Sequence, residues 1–113
     1  IILPGGQPGT DKLDSFIQLK DLITYYSKNK SIAAICAAPS ILGKMGVLSG
    51  KEAICYPGYE YLLDGAVISG SKVVTDGNII TAAGPGVAKE FAIEIVRLIG
   101  TDAEYNKVCQ MFK

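Results

Sequence analysis

The strongest constraint on the fold of this chain is an apolar segment that is closely followed by a proline. Residues 31–36 read Ser-Ile-Ala-Ala-Ile-Cys, without the polar–apolar alternation of a half-exposed strand. Such a run is typical of a central parallel strand that is buried on both faces. Pro39 suits the first turn of a helix, because its missing N–H would have no intrahelical partner there. The segment therefore predicts a buried strand followed at once by a helix that ends near Met45.

Strands and helices alternate along the rest of the chain. Further strands are predicted at residues 1–3, 52–56, 72–76 and 78–82, and further helices at 13–28, 87–99 and 101–110, with one helical turn ending at residue 63. Asp76-Gly77 is a strong hairpin signal between the last two strands. Thr10 and Asp11 offer N-cap groups for the helix at 13–28. The alternation predicts an α/β domain with a parallel sheet between helices and antiparallel pairing at one side.

The two longest predicted helices are amphipathic. Apolar positions 13, 16, 19, 22, 23 and 26 of the first, and 87, 88, 91, 92, 95, 98 and 99 of the second, gather on one side of a helical wheel. These faces are expected to pack on the sheet.

Composition limits the classes of protein to which the chain can belong. Its 113 residues are 49% hydrophobic, so one compact domain is expected. The chain carries eleven basic and eleven acidic side chains, and we therefore expect it to bind neither nucleic acid nor a membrane. Three widely spaced cysteines form no disulfide framework and point to a reducing cytoplasm. The chain has no histidine, which removes a Ser-His-Asp triad, a Cys-His dyad and a histidine-ligated zinc site.

The first residues suggest a longer parent chain. The sequence opens on Ile1-Ile2-Leu3, without an initiator methionine, and turns at once into a glycine pair. We expect residues 1–113 to be one domain that lacks its N-terminal part. The alternative is a short first strand that follows a trimmed tag.

Cys36 stands where the predicted strand meets the next helix. In a nucleophile elbow, the nucleophile occupies such a sharp turn at the carboxyl edge of the sheet, with small residues around it. The N–H of Ala37 would then point to a developing oxyanion, and the helix N-terminus would favour the thiolate. A cysteine that merely packs in an alanine-rich strand is an equally open alternative.

Gly5-Gly6 follows the first predicted strand. One strand–helix–strand unit joins this strand to the Cys36 strand, so the two should lie side by side. The N–H of Gly6 could then be a second oxyanion donor. The plain alternative is an ordinary turn between a strand and a helix.

Four motifs occur together along the chain, and together they resemble the ThiJ/PfpI superfamily, in particular its Parkinson-disease-protein (protein deglycase) branch. They read Leu-Pro-Gly-Gly at 3–6, Ala-Ile-Cys-Ala-Ala-Pro at 34–39, Cys-Tyr-Pro-Gly-Tyr-Glu at 55–60, and Gly-Pro-Gly at 84–86 followed by Glu-Phe-Ala at 90–92. The resemblance covers essentially the whole chain.

The resemblance implies a flavodoxin-like fold, of the class I glutamine amidotransferase type, with its N-terminal strands missing. It implies a reactive Cys36 with backbone donors from Gly6 and Ala37. Substrate contacts are expected at Gly5, Ala38, Tyr56 and Pro57. A homodimer is also implied. No metal is expected, because the cysteines are widely spaced and form no CxxC motif, and no cofactor is expected.

Three features expected from such a family are absent or altered. A protonated glutamate that bonds the cysteine sulfur would lie before Ile1, and a separate chain could supply it. Tyr56 stands where some members place a histidine, which argues against amidotransferase or peptidase chemistry. Ala83 stands where some relatives have a basic residue, so an anion contact at that position is in doubt.

The sequence leaves two main candidate functions and a weaker third. The first is an enzyme in which Cys36 adds to reactive carbonyls such as methylglyoxal or glycated adducts. The second is a redox-sensing stress protein or chaperone with an oxidisable cysteine. The weaker third is a role in thiazole or thiamine biosynthesis. Cys55 and Cys109 are expected to be packing residues, and the tyrosines at 56, 59 and 61 to line either the pocket mouth or a half-buried patch.

Overall fold

The structure is a computed structural model that describes residues 1–112, organised around a four-stranded sheet. The strands are β1 (Ile2–Leu3), β2 (Ile32–Ile35), β3 (Glu52–Ala53), β4 (Val67–Ile68), β5 (Val73–Asp76) and β6 (Ile79–Ala82). The helices are α1 (Gly9–Asp14), α2 (Ile17–Asn29), α3 (Pro39–Lys44), α4 (Ala88–Ile99) and α5 (Asp102–Met111), with 3₁₀ turns at Glu60–Leu62 and Pro85–Val87.

The sheet order is β1-β2-β6-β5, and this order places the site. β2 pairs in parallel with both β1 and β6, while β5 and β6 form the antiparallel hairpin. Leu3 lies opposite Ala34, so the carboxyl ends of β1 and β2 meet at one edge. The predicted parallel sheet, the β1–β2 adjacency and the hairpin are confirmed.

Apolar side chains cover both faces of the sheet. One face packs against α2 and α3 through residues that include Leu3, Ile23, Ile41 and Leu42. The other packs against α4, where Phe91 lies among residues of β2 and β6. Ile32, Ala33 and Ala34 are at most 4% exposed, as the uninterrupted apolar pattern of β2 predicts.

The predicted helix at 13–28 is two helices. Backbone hydrogen bonds from Ser15 N–H to the Asp11 carbonyl and from Phe16 N–H to the Leu13 carbonyl close α1, and α2 starts at Ile17. Phe16 and Leu22 are about half exposed, so the predicted apolar face is wrong at those positions. The predicted N-caps are also wrong, because α1 begins at Gly9 and contains both Thr10 and Asp11.

The strand predicted at 52–56 stops at Ala53. Beyond it, the N–H of Ile54 donates to the Thr81 hydroxyl at 3.0 Å, which takes the backbone out of strand pairing. β4, which pairs in parallel with β3, was not predicted.

The predicted sheet-facing side of α4 is only partly covered. Phe91 is buried, whereas Ala88, Ala92 and Ile99 are exposed because the helix lies over part of the sheet only. The last helix follows its prediction closely, and a reciprocal capping box between Thr101 and Glu104 fixes its start.

No helix within residues 1–112 is both long and apolar enough to cross a membrane.

Gly43 of α3 provides a test of the packing that supports the site. A Cβ atom there would overlap the backbone of Leu62 and Leu63. We expect Gly43→Ala to lower the free energy of unfolding by roughly 1–3 kcal/mol, the usual cost of overpacking. Urea denaturation measures the change. Gly9→Ala is the matched control, because that site is open, and an equal loss in both variants would contradict the packing described.

Candidate functional site

The backbone at Cys36 adopts a left-handed conformation. Its φ is +62°, and among residues 1–112 no other non-glycine residue has a positive φ. β2 ends one residue earlier, and Pro39 begins α3 three residues later. This conformation costs a non-glycine residue on the order of 1 kcal/mol and is found most often at functional turns. The sharp turn predicted at the end of β2 is therefore present.

Backbone hydrogen bonds hold this turn on both sides. The N–H of Cys36 donates to the carbonyl of Ala82 at 3.0 Å, which extends the β2–β6 ladder by one residue. The carbonyl of Cys36 accepts the N–H of Tyr56 at 2.8 Å. The turn is thus anchored to two segments distant in sequence, and the position of the thiol does not depend on its own helix alone.

Gly5 lies directly against the cysteine. A Cβ on Gly5 would overlap Cys36 Cβ and would lie 2.9 Å from the Ile35 carbonyl oxygen and 3.2 Å from Sγ. Only glycine leaves room for the loop after β1 to approach this closely. The sequence prediction that this loop adjoins the cysteine turn is confirmed.

Gly6 also has a left-handed backbone, with φ +92°. Its carbonyl accepts two hydrogen bonds from Thr10, one from the backbone N–H at 2.8 Å and one from the side-chain hydroxyl at 2.9 Å. Thr10 is 2% exposed, so the second bond is protected from water. These bonds anchor Gly6 to α1.

A cavity of about 200 Å³ opens over the thiol. It is lined by Gly6, Gln7, Cys36, Ala37, Tyr56 and Tyr59. The two tyrosine rings meet edge to face at 6.5 Å. The Gln7 amide lies 3.4 Å from the Tyr59 hydroxyl, so these two polar groups meet at the exposed side of the cavity.

The structure brings most of the predicted site residues together. Gly6, Ala37 and Tyr56 line the cavity with Cys36, and Gly5 lies against the Cys36 side chain outside the lining. Ala38 is fully buried at the start of α3, and Pro57 lines a neighbouring cavity instead. Neither residue lines the cavity over the thiol, and the substrate contacts expected at these two positions stay a prediction.

Gln7 is a lining residue that the sequence analysis missed. Its place directly after the glycine pair at the end of β1 was the available signal, because loops at that edge of a sheet line ligand sites.

Burial sets the electrostatics of the thiol. Desolvation raises the pKa of Cys36 above its ordinary value. The effect expected from the helix N-terminus, which would favour the thiolate, stays a prediction. α3 has only six residues, and within residues 1–112 the cavity lining includes no charged side chain to favour the thiolate. Burial, with a smaller effect of Glu60, raises the pKa of Cys55 to about 11.

Carboxyl groups and metal ligands are not clustered at this site in the part of the chain that the structure describes. The lining residues include no aspartate or glutamate. No group of three or more histidine, cysteine, aspartate or glutamate side chains is arranged to hold a metal ion within residues 1–112.

The raised pKa of Cys36 predicts the pH dependence of its alkylation. Because the thiolate is the nucleophile, its population is small at neutral pH and grows as the pH rises through the raised pKa. We expect the iodoacetamide rate at Cys36 to keep increasing above pH ~8.5, the reference thiol pKa. Peptide-resolved mass spectrometry measures the rate. A plateau well below pH 8.5 in the 113-residue chain would contradict the desolvation argument.

Comparison with known proteins adds the family context. Residues 1–98 match the model of the DJ-1/PfpI family. Protein dj-1beta of Drosophila melanogaster is 37% identical over 113 residues, covering 97% of this chain and 60% of that protein. The crystal structure of Drosophila DJ-1beta superposes with a TM-score of 0.84 at 39% identity, over 98% of this chain and 61% of that one.

Two further relatives carry informative names. The glutathione-independent glyoxalase DJR-1.2 of Caenorhabditis elegans is 36% identical over 96% of this chain and 59% of its own length. A structure named as oxidized DJ-1 of Toxoplasma gondii has a TM-score of 0.86 at 27% identity, covering 96% of this chain and 60% of that one. The chain thus spans about three fifths of the length of these relatives.

Proposed function

The chain belongs to the DJ-1/PfpI family, and on that premise we propose that the protein is a cysteine-dependent enzyme that acts on reactive carbonyl compounds. The proposed chemistry is of the glyoxalase or protein deglycase type, without a cofactor. A relative named as a glutathione-independent glyoxalase supports the reaction class.

One observation carries the proposal. Cys36 stands on a left-handed turn and faces a small cavity that it shares with Gly6 and Ala37. A nucleophile held on a strained turn beside two backbone segments fits the addition of sulfur to a carbonyl carbon. The N–H groups of Gly6 and Ala37 are the proposed donors to the oxygen that becomes negatively charged.

The proposed reaction with methylglyoxal begins with bond formation between sulfur and the aldehyde carbon. The thiolate of Cys36 adds to that carbon, and the resulting alkoxide takes a proton to give a hemithioacetal. A proton then moves from this carbon to the neighbouring one through an enediol, which oxidises the first carbon and reduces the second. The product is a thioester, and water hydrolyses it to lactate and the free thiol.

The proposed reaction also needs a side chain that transfers these protons. The described residues lining the cavity include no carboxyl group. We propose that the glutamate implied by the family resemblance comes from a part of the relatives' fold that this chain does not span. It would also offset the desolvation that disfavours the Cys36 thiolate, by donating a hydrogen bond to sulfur.

The size of the cavity favours small substrates. A volume of about 200 Å³ suits a two- or three-carbon dicarbonyl compound. Hemithioacetal or hemiaminal adducts on glycated proteins would have to enter through the exposed side near Gln7 and Tyr59. We therefore place methylglyoxal ahead of protein-bound adducts as the substrate.

An apolar groove along β1 offers a place for the rest of the fold. A groove of about 340 Å³ is lined mainly by isoleucine and leucine side chains of β1, β2 and α4, and Ile2 and Ile99 are more than half exposed there. We propose that an additional strand and helix pack here, either in the same chain or as a separate chain. The complete protein would be a cytoplasmic homodimer, as the family resemblance implies.

Replacement of the nucleophile tests the activity. In the complete protein, which includes the part of the fold that supplies the glutamate, we expect Cys36→Ser to reduce kcat/KM for methylglyoxal by about 100-fold or more, because the hydroxyl is a far weaker nucleophile at neutral pH. Production of lactate measures the rate. Cys109→Ser on α5 is the matched control and should retain the activity. Undiminished lactate production by Cys36→Ser would refute the proposed mechanism.

A redox-sensing role is the second candidate. Cys36 is partly accessible from the cavity, and the same backbone donors could stabilise a sulfinate. A relative whose structure is named as oxidized is consistent with this role. In this reading carbonyl turnover is incidental, and oxidation of the thiol is the signal.

Peroxide titration separates the two candidates. The sensor predicts a mass gain of about 32 Da on Cys36 at low peroxide, the increment of a sulfinic acid, without saturable lactate production. The enzyme predicts saturable lactate production that Cys36 oxidation abolishes. Peptide mass mapping with Cys109 as the internal comparison measures selectivity, and equal oxidation of both cysteines would rule the sensor out.

A further inference from the structure

Three polar residues are buried in the part of the chain that the structure describes, and two of them contact the proposed oxyanion donors. The three are Thr10, Ser40 and Thr81. A buried hydroxyl is costly unless it is hydrogen-bonded. The Thr10 hydroxyl bonds the carbonyl of Gly6, and the Ser40 hydroxyl bonds the carbonyl of Ala37. The proposed function makes no use of either hydroxyl.

Thr10 holds the Gly6 carbonyl with two hydrogen bonds. The backbone N–H of Thr10 donates at 2.8 Å and its side-chain hydroxyl at 2.9 Å. Because Thr10 is 2% exposed, water does not compete for the hydroxyl. A hydrogen bond in such surroundings is electrostatically stronger than the same bond in water.

The peptide group that carries the Gly6 N–H has no such anchor of its own. It joins Gly5 to Gly6, and no hydrogen bond within residues 1–112 reaches the Gly5 carbonyl. Gly6 has φ +92°, and glycine adopts positive and negative φ about equally well. The direction of the Gly6 N–H therefore depends on how firmly the Gly6 carbonyl is held.

The second proposed donor, Ala37, is held on both sides. The peptide group that carries its N–H also carries the Cys36 carbonyl, which accepts the N–H of Tyr56 at 2.8 Å. The Ala37 carbonyl accepts the Ser40 hydroxyl at 2.6 Å and the Ser40 N–H at 3.0 Å. Loss of one hydroxyl should therefore disturb Gly6 more than Ala37.

We propose that Thr10 is a positioning residue whose hydroxyl orients the Gly6 N–H for the addition of Cys36 to a carbonyl. Thr10 lies outside the cavity lining, so it acts through Gly6 and not on the substrate. A donor stabilises a developing oxyanion best when it is held in place before the charge appears. The inference rests on the proposed function for the donor role of Gly6, but it can be tested without turnover.

Two reagents that attack the same thiolate provide the test on the 113-residue chain. p-Nitrophenyl acetate reacts through an oxyanion: sulfur adds to the ester carbonyl, p-nitrophenolate leaves, and an acetyl thioester remains. Iodoacetamide reacts by displacement of iodide and forms no oxyanion. The ratio of acetylation to alkylation at Cys36 therefore cancels any change in the thiol pKa. Peptide-resolved mass spectrometry measures both rates, with Cys109 as the internal reference.

We expect Thr10→Val to lower the acetylation-to-alkylation ratio at Cys36 by about tenfold, less than the roughly 100-fold that complete loss of an oxyanion donor costs. Valine keeps the shape and the backbone N–H of threonine and removes only the hydroxyl. Thr10→Ser, which keeps the hydroxyl, should restore most of the ratio. Urea denaturation of each variant checks that the chain is folded in the assay.

Thr24→Val on α2 is the matched control. The Thr24 hydroxyl also donates to the carbonyl four residues earlier, that of Lys20, at 3.0 Å, but it lies outside the cavity lining. This variant should leave the ratio at Cys36 unchanged. An unchanged ratio in Thr10→Val, an equal drop in Thr24→Val, or no recovery in Thr10→Ser would overturn the positioning role.

Two further results separate this inference from the proposed function. A ratio at Cys36 no higher than that at Cys109 in the unmodified chain would remove the oxyanion donors, and the role of Thr10 with them. In the complete protein, Thr10→Val should lower kcat for methylglyoxal and leave KM unchanged, because the oxyanion forms only in the transition state. Absence of lactate production, together with a lowered ratio in Thr10→Val, would refute the proposed reaction and support the positioning role.

Discussion

The left-handed turn at Cys36 is the constraint on which the rest of the site depends. It requires β2 to end at the sheet edge, and it requires Ala82 and Tyr56 to hold the backbone from two sides. It also requires Gly5 to approach without a Cβ, because any side chain there would strike the cysteine. One strained residue thus fixes the relative position of three loops, and strain of this kind persists only where the surrounding structure enforces it.

Much of this arrangement could be predicted from the sequence because its signals are local. A buried apolar strand, a proline-led helix and a glycine pair one strand–helix–strand unit away were enough to place the loop after β1 beside Cys36. The break between α1 and α2 could not be predicted, since the apolar spacing continues across Ser15 and Phe16. The early end of β3 depends on Thr81, a partner distant in sequence.

The pKa of the Cys36 thiol could not be predicted from its place before a helix alone. A helix N-terminus favours a thiolate, yet α3 is short and the thiol is partly buried, so desolvation raises the pKa of Cys36. A thiol in this state gains most from a hydrogen-bond donor that the described cavity lining does not contain. The proposed enzyme therefore depends on one addition to the cysteine turn, a proton carrier beside the sulfur.

Protection of Cys36 by methylglyoxal tests the central claim most directly. The rate of iodoacetamide labelling at Cys36 and Cys109 is measured at one pH while methylglyoxal is increased. If Cys36 is a nucleophile in a site that holds the carbonyl, its labelling is suppressed at a concentration at least about tenfold below that needed for Cys109, a difference of about 1.4 kcal/mol in binding. Suppression of both cysteines at the same concentration would show that Cys36 is an ordinary thiol and would contradict the account.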